Sequence, residues 1–385
     1  MPGDFEPQHD TVYELRAVTS LAEIGAGNWR ALAGTDPFLS WEYLSAMHET
    51  RCASAEKGWT PHYLTLWDGD TLAAALPLYF KYHSRGEYVF DWAWADAYER
   101  SGLDYYPKLL SAIPFTPATG ARLLARDEQA RFTFAHNLQR YAKTQPASSM
   151  HILFPHADDA KLLSAAGFLM RTGVQFHWFN AGYGDFEDFL AGLTHDKRKK
   201  IRQERRKVSE AGIEFRRLRG AEIGPQDWAF FYRCYCHTYR AHMSSPYLSL
   251  EFFQRLGAAM PEHMLLSLAM RGSEKIGVSL CVYNGQALWG RYWGALEFVS
   301  CLHFEACYYQ PIEFCIANKI PLFEGGAQGE HKLARGFLPV ATHSAHWLRQ
   351  PEFADAVERF LESETSGITS YIDELNEHVP YRQQP

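Results

Sequence analysis

The 385-residue sequence contains no uninterrupted apolar stretch approaching the ~18 residues that a bilayer-spanning helix needs. Met1 to Asp10 holds Asp4 and Glu6 and no apolar segment, so the expectation is a soluble, cytoplasmic protein without a transmembrane segment. Cysteine is sparse, and the seven present (Cys52, Cys234, Cys236, Cys281, Cys301, Cys307, Cys315) are an odd set with no CxxC pair. That spacing reads as reduced thiols, and the missing ligand pairs leave no structural zinc site to expect. Nor is there an excess of positive charge: 38 Lys+Arg against 45 Asp+Glu give a formal −7, which argues against a general nucleic-acid coat while leaving room for one basic patch. What is present is 46% hydrophobic and 15% aromatic residues with 22% charged, a composition foreign to disordered chains, collagen and heptad rods. At roughly 150 residues per domain the length corresponds to two or three domains.

Sliding the chain against itself reveals a weak duplication. His62 to Tyr79 (HYLTLWDGDTLAAALPLY) and Leu265 to Val282 (LLSLAMRGSEKIGVSLCV) each read as an alternating strand, a polar turn and a second strand of small apolar residues, which is a hairpin signature. Downstream of each comes an aromatic segment read as a strand, Tyr88–Trp94 or Leu288–Trp293, and then a Tyr-Tyr pair expected to open or lie within a helix, Tyr105-Tyr106 or Tyr308-Tyr309. Helical periodicity appears over Trp41–Glu49, Gly120–Lys143, Phe186–Leu193, Trp228–Ala241, Leu250–Ala259, His303–Asn318 and Phe353–Glu362. Hairpins and single strands alternating with helices predict an α/β chain of mixed sheets covered by helices. The expected division is an N-terminal domain over 1–180, a C-terminal domain over 181–345 and a helical segment over 346–385 that packs back on the first domain.

One expected helix, 195–211, differs from the rest. Lys197 to Lys207 (KRKKIRQERRK) carries eight cations and one anion. Its local +7 within a chain of −7 leaves the remainder at −14. Only Ile201 and Val208 recur at apolar spacing, so the helix presents a narrow buried stripe and a wide cationic face suited to phosphates. Lys199, Arg202 and Arg206 are the donor-binding candidates on it; a merely solvated face is the competing reading.

The blocks Asp36–Trp41 (DPFLSW), His83–Trp92 (HSRGEYVFDW), Tyr105–Leu109 (YYPKL), Pro114–Pro117 (PFTP), Gly290–Gly294 (GRYWG), Leu302–Glu305 (LHFE) and Gly325–Lys332 (GGAQGEHK), in this order, resemble the bacterial FemAB-like family of "peptidoglycan biosynthesis/recognition" N-acyltransferases over about residues 15–350. The resemblance implies tandem acyltransferase domains of the GCN5-related (GNAT) type, in agreement with the duplication. It further implies transfer of an acyl or aminoacyl group to an amine, with acyl-CoA, a carrier thioester or aminoacyl-tRNA as co-substrate and no permanently bound cofactor. The implied partners are a small-molecule or peptidoglycan-precursor amine, with tRNA as a further candidate. Fem ligases carry a lysine two residues before a Gly-Phe; this chain has Ala334 there, leaving Lys332 and Arg335 as cationic substitutes.

Acyl transfer to an amine needs a neutral nucleophile, a proton acceptor and donors aimed at the carbonyl oxygen. Gly325, Gly326, Gln328 and Gly329 follow the strand-like Ile320–Phe323 and allow close backbone approach to a carbonyl or phosphate. Glu305 is the preferred base at the opening of its helix, with an ion pair to Arg291 as the structural alternative. Arg291, Tyr292, His303 and Tyr308, joined by Asp96 and Tyr105 of the first half, are the acceptor-binding candidates. The competing functions are a Fem-type aminoacyl-tRNA-dependent ligase and a non-catalytic recognition protein of the same fold.

Overall fold

A computed structural model describes residues 12–326 and 329–382 of the chain. The first half contains strands β1 (Tyr13–Val18), β2 (Trp59–Pro61), β3 (Tyr63–Asp68), β4 (Thr71–Leu76), β5 (Tyr79–Lys81), β6 (Lys108–Ser111), β7 (Leu124–Ala125), β8 (Ser149–Leu153) and β9 (Leu169–Phe179). Helices α1 (Leu21–Ile24), α2 (Ala26–Ala33), α3 (Trp41–Glu49), α4 (Trp92–Arg100), α5 (Glu128–Thr144) and α6 (Ala157–Ala165) lie between them. In the second half come α7 (Phe186–Gly192), α8 (His195–Glu210), β10 (Ile213–Arg219), α9 (Pro225–Ala241), α10 (Leu250–Ala259), β11 (Met264–Arg271), β12 (Glu274–Tyr283) and β13 (Ala287–Ala295). One continuous helix follows, made of α11 (Leu302–Phe304), a π turn (Glu305–Tyr309) and α12 (Gln310–Asn318), and then β14 (Leu322–Glu324), β15 (Leu338–Leu348) and α13 (Pro351–Glu377).

The predicted mixed α/β class is observed. Four strands form one sheet, β1-β3-β4-β7, and eleven form the other, β10-β11-β12-β13-β14-β9-β15-β8-β6-β5-β2. Both duplicated hairpins are present, and each carries a register shift at the same place, between Leu66 and Trp67 in β3 and between Ala269 and Met270 in β11. In each copy an earlier strand, β1 or β10, pairs antiparallel with the first strand of the hairpin. A shared irregularity is stronger evidence of repetition than shared alternation, because bulges are kept as local features within families.

The halves exchange strands in the large sheet. β9, from the first half, pairs with β14 through Phe179↔Leu322 to His177↔Glu324. β15, from the second, lies between β9 and β8, with Ala341↔Val174 on one side and His346↔His151 on the other. The division at residue 180 therefore follows the end of β9, whereas the one at 345 falls inside β15. The long helix α13, which reaches well beyond Phe353–Glu362, lays Val357 and Leu361 against Trp94, Tyr98 and Tyr105.

Three local expectations are corrected. Tyr88–Trp94 is a loop followed by a helix: Tyr88 has φ 64° and Asp91 occupies the N-cap position of α4. The alternating aromatics misled because Trp94 and Tyr98, four apart on that helix, are the pair that enters the core. Tyr105-Tyr106 lies in an extended segment ahead of β6, outside any helix. The helix expected from Gly120 begins at Glu128, where the Asp127 carboxylate accepts from Ala130 N at 2.8 Å; ahead of it, Leu124–Ala125 pairs with Ala74–Ala75.

Candidate functional site

β13 and β14 pair in parallel over only three steps, from Ala287↔Leu322 to Trp289↔Glu324, and then part. Immediately beyond, β13 is bulged. One step on β12, Leu280 to Cys281, spans Tyr292 to Gly290, so Arg291 is the extra residue. A bulge leaves ladder groups unpaired and re-aims side chains. On the other side of the opening, the chain turns through Gly325 and Gly326, whose amides make no backbone hydrogen bond among the described residues. Gly325 is required: a Cβ there would stand 2.8 Å from the Phe337 ring. Gly326, at φ 88°, occupies a conformation that side chains disfavour.

Between these edges is a cavity of about 180 Å³, lined by Ser279, Cys281, Gly290, Arg291, Tyr292, Trp293, His303, Cys307, Tyr308, Gly325 and Gly326. Its helical wall is the π turn, a local widening that recurs at functional sites and is anchored to β12 by the Ser279 hydroxyl, which donates to Ala306 O at 2.6 Å. His303 packs against Trp293 and Tyr308 at 5.3 and 5.5 Å. Burial, reinforced by His331, Arg335 and Lys332, lowers its pKa to about 4, so the ring is neutral near pH 7. The Tyr308 hydroxyl shares a 2.8 Å hydrogen bond with His331 Nε2, and burial raises its pKa well above that of a free phenol. Lys332, 2% exposed, donates from Nζ to Gly326 O at 2.6 Å, and burial lowers its pKa to about 8. It thus braces the glycine turn from behind.

The sequence of residues 20–383 matches the FemAB-like family, described as peptidoglycan biosynthesis/recognition. The chain belongs to that family. No curated protein matches the sequence. Among solved structures, FemX is similar with a TM-score of 0.52 at 10% identity, covering 89% of this chain and 100% of FemX. L-PGS from Bacillus licheniformis gives 0.51 at 10% identity, covering 85% of this chain and 97% of that one. At such identity the likeness is one of fold.

This FemAB-like chain gathers part of the expected constellation and disperses the rest. Arg291, Tyr292, His303, Tyr308, Gly325 and Gly326 share the cavity. Gln328 lies outside the described residues. Gly329, at φ 110°, opens the turn of 3₁₀ helix over Glu330–Arg335 that carries Lys332. Glu305 is not on the cavity wall and does not pair with Arg291. Two residues from His303 on the helix, it points to α8, accepting from Arg205 Nη2 and Nε at 3.0 and 3.2 Å and from Gln310 Nε2 at 2.8 Å. Arg335 is likewise spent, on a buried ion pair with Glu204 of α8 at 2.7 Å, where Glu204 also accepts from Tyr309 OH.

On α8, Ile201 and Val208 are buried as the spacing predicted, and Glu204 is buried beside them. Of the donor-binding candidates, Lys199 is exposed, Arg202 pairs with Glu187 at 2.5 Å and Arg206 lies 3.6 Å from Glu210. Asp96 and Tyr105 do not reach the cavity. They line a separate hollow of about 420 Å³ with Trp92, Glu99, Asp104 and Tyr106.

Tyr105 also belongs to a buried polar chain in the first half. Lys108 Nζ donates to Ser84 Oγ at 2.9 Å, to Glu87 at 2.7 Å and to Asp91. Tyr105 OH donates to Asp91 at 2.6 Å and lies 3.1 Å from His151 Nε2, and His151 and His346 share a 2.7 Å contact between their Nδ1 atoms.

Sequence reasoning passed over Glu324. This carboxyl closes β14, sits across the sheet from Trp289 and His177, and is pushed by burial to about 8. Its signal was a lone acid at the end of an apolar strand directly ahead of two glycines.

Proposed function

We infer that this chain transfers an acyl or aminoacyl group from an activated donor to an amine by direct attack. The observation that carries the reading is the opening between β13 and β14. A bulged strand and a glycine turn there flank a small cavity holding a neutral imidazole. The donor carbonyl oxygen faces the Gly325 and Gly326 amides, where negative charge develops. The amine nitrogen bonds to the carbonyl carbon, the carbon–sulfur or carbon–oxygen bond of the donor breaks, and His303 accepts the proton lost by the amine. Tyr308, still protonated, donates to the leaving thiolate or alkoxide. No covalent enzyme intermediate is required. Lys332 shapes the turn, while Glu305 and Arg335 hold α8 in place.

The exposed cations of α8 favour a donor rich in phosphate, which keeps the Fem-type, aminoacyl-tRNA-dependent reading in play beside CoA and carrier thioesters. The helix contacts the π turn through Arg205–Glu305, which ties it to the element that carries His303 and Tyr308. Screening CoA thioesters and charged tRNA against a panel of amines, with mass-spectrometric detection of acylated product, tests the reading. Product that disappears in the His303→Gln variant supports it; no product with any donor would leave a recognition protein of the same fold.

A further inference from the structure

Arg291 is in an unusual position for a cation. Its Nη2 donates to Phe115 O at 2.6 Å, approaches Thr116 Oγ1 at 3.3 Å, and lies 3.5 Å from Tyr292 OH. The rings of Phe38 and Tyr292 flank the guanidinium at 5.8 and 5.1 Å. The charged or titratable groups acting most strongly on it are the hydroxyls of Tyr292, Tyr43 and Tyr88. Among the described residues no carboxylate comes within ion-pair distance, and Nε is sealed from solvent with no acceptor. Lys108 has two carboxylates, Arg335 has Glu204 and Arg205 has Glu305, whereas Lys332, which like Arg291 is bonded to a backbone carbonyl, can shed its proton, its pKa being lowered by burial to about 8.

The buried carboxyl that Arg291 acts on, Glu324, does not pair with it. Burial pushes Glu324 up to about 8 even though Arg291 pulls it down. A half-buried guanidinium whose hydrogen bonds go to a carbonyl and hydroxyls is left without an ion-pair partner, and the bulge turns it onto the wall of the cavity shared with His303 and the glycine turn. Its remaining contacts, Phe115 and Thr116, come from the other half of the chain, so the position is defined by both halves together.

The geometry points to Arg291 as the receptor for a small oxyanion on the substrate, carried by an acceptor that bears a carboxylate near its amine or by a phosphoryl group of the donor. This deepens the acyl-transfer reading and rests on it for the word substrate, but not for the binding itself. The cavity has space for about six waters, which suits one anionic group and the short skeleton between it and a reacting nitrogen. An acceptor of this class would place its carboxylate on the free guanidinium hydrogens and its amine toward His303.

The test is equilibrium binding, which needs no turnover. L-alanine and L-lysine, their amides, and inorganic pyrophosphate are titrated calorimetrically into the wild-type protein, Arg291→Lys and Arg291→Met. Amino acids binding at least tenfold more tightly than their amides, with the preference lost in Arg291→Met and reduced in Arg291→Lys, would establish the carboxylate arm. Pyrophosphate binding lost in the same variants would establish the phosphate arm. In both cases ligand-free Arg291→Met should melt within a few degrees of wild type, since losing an unpaired charge offsets the lost bond to Phe115 O. Anion binding unchanged in Arg291→Met, no binding of any anion to wild type, or a ligand-free Arg291→Met that melts many degrees lower while Arg291→Lys does not, would each overturn the inference. Acyl transfer with unchanged KM for both substrates in Arg291→Lys and Arg291→Met would overturn it while leaving the proposed reaction standing. Binding without turnover would do the opposite.

Discussion

The two halves bury polar groups in opposite ways. Around Lys108 the first half encloses an ammonium, two carboxylates, a phenol and the imidazole of His151 in one hydrogen-bonded chain, which His346 of β15 extends, and the ammonium is bonded to both carboxylates. Around Arg291 the second half holds a guanidinium without a carboxylate partner and a glycine turn whose amides make no backbone hydrogen bond, both among the described residues, beside a neutral His303. Two copies of one hairpin design thus support paired charges in one place, although Glu87 Oε1 and Asp91 Oδ1 there lack hydrogen-bond partners, and in the other a cation with no carboxylate partner among the described residues. Paired charges stabilise and specify; an unpaired one is where a ligand has something to add.

The contrast breaks most decisively at its paired end. Replacing Lys108 by Met leaves Asp91 buried without an ion-pair partner and Glu87 with only Lys81 at 3.8 Å, and urea denaturation should show a loss of about 3–5 kcal/mol. Arg335→Met, which strands Glu204, should lose a similar amount, with turnover per folded molecule within a few-fold of wild type. A large loss of turnover at constant stability would return Arg335 to the catalytic role expected from the sequence.

At the unpaired end the effect moves from stability to rate. His303→Gln should lower kcat by about 10²–10⁴ while the melting temperature changes little. Because the folded pKa of His303 is near 4, its share of the rate should be level from pH 8 to 5 and fall as the ring takes up a proton below that. The sign for stability is the same. Between pH 6.5 and 4 the unfolded chain binds a proton that the folded ring refuses, so stability falls with pH there. His303→Gln should remove that part of the slope.

Smaller effects are expected at the turn and on α8. Gly325→Ala forces a methyl against Phe337, costing about 1–3 kcal/mol and reducing activity through displaced amides; circular dichroism melts and donor KM separate the two. The triple change Lys199→Gln, Arg202→Gln, Arg206→Gln touches only exposed side chains, so stability should stay within about 1 kcal/mol. Donor binding should nonetheless weaken and lose salt dependence, most steeply for a tRNA donor. Unchanged binding and salt response would make the helix a solvated surface.

The hairpins were legible because alternation and the turns at Asp68-Gly69-Asp70 and Gly272-Ser273-Glu274 are local signals, and the buried stripe of α8 was legible because Ile201 and Val208 share a helical face. The inward turn of Glu204 and Arg205 was not, since their partners, Arg335 and Glu305, are at least a hundred residues away. The same distance concealed the fate of Glu305, which looked free at the start of its helix until Arg205 claimed it. Gly290–Gly294 stood out as a block, yet the bulge that makes Arg291 the extra residue arises from pairing with β12 and leaves no mark in composition. Tyr88–Trp94 shows a different failure, in which a short aromatic run satisfies strand and helix patterns equally until the loop's acids find Lys108.

The placement of β15 between β9 and β8 sets the order in which the newly made chain can close. On the ribosome, β9 and β8 emerge about 160 and 185 residues before the strand that joins them, so the first half waits with both edges of β9 and one edge of β8 unpaired, each a template for a stray chain. Translation finishes the second half before it finishes the first. Nascent chains truncated ahead of Leu338 should therefore be held by chaperones or aggregate, and chains extended past Leu348 should gain protease resistance in both halves at once.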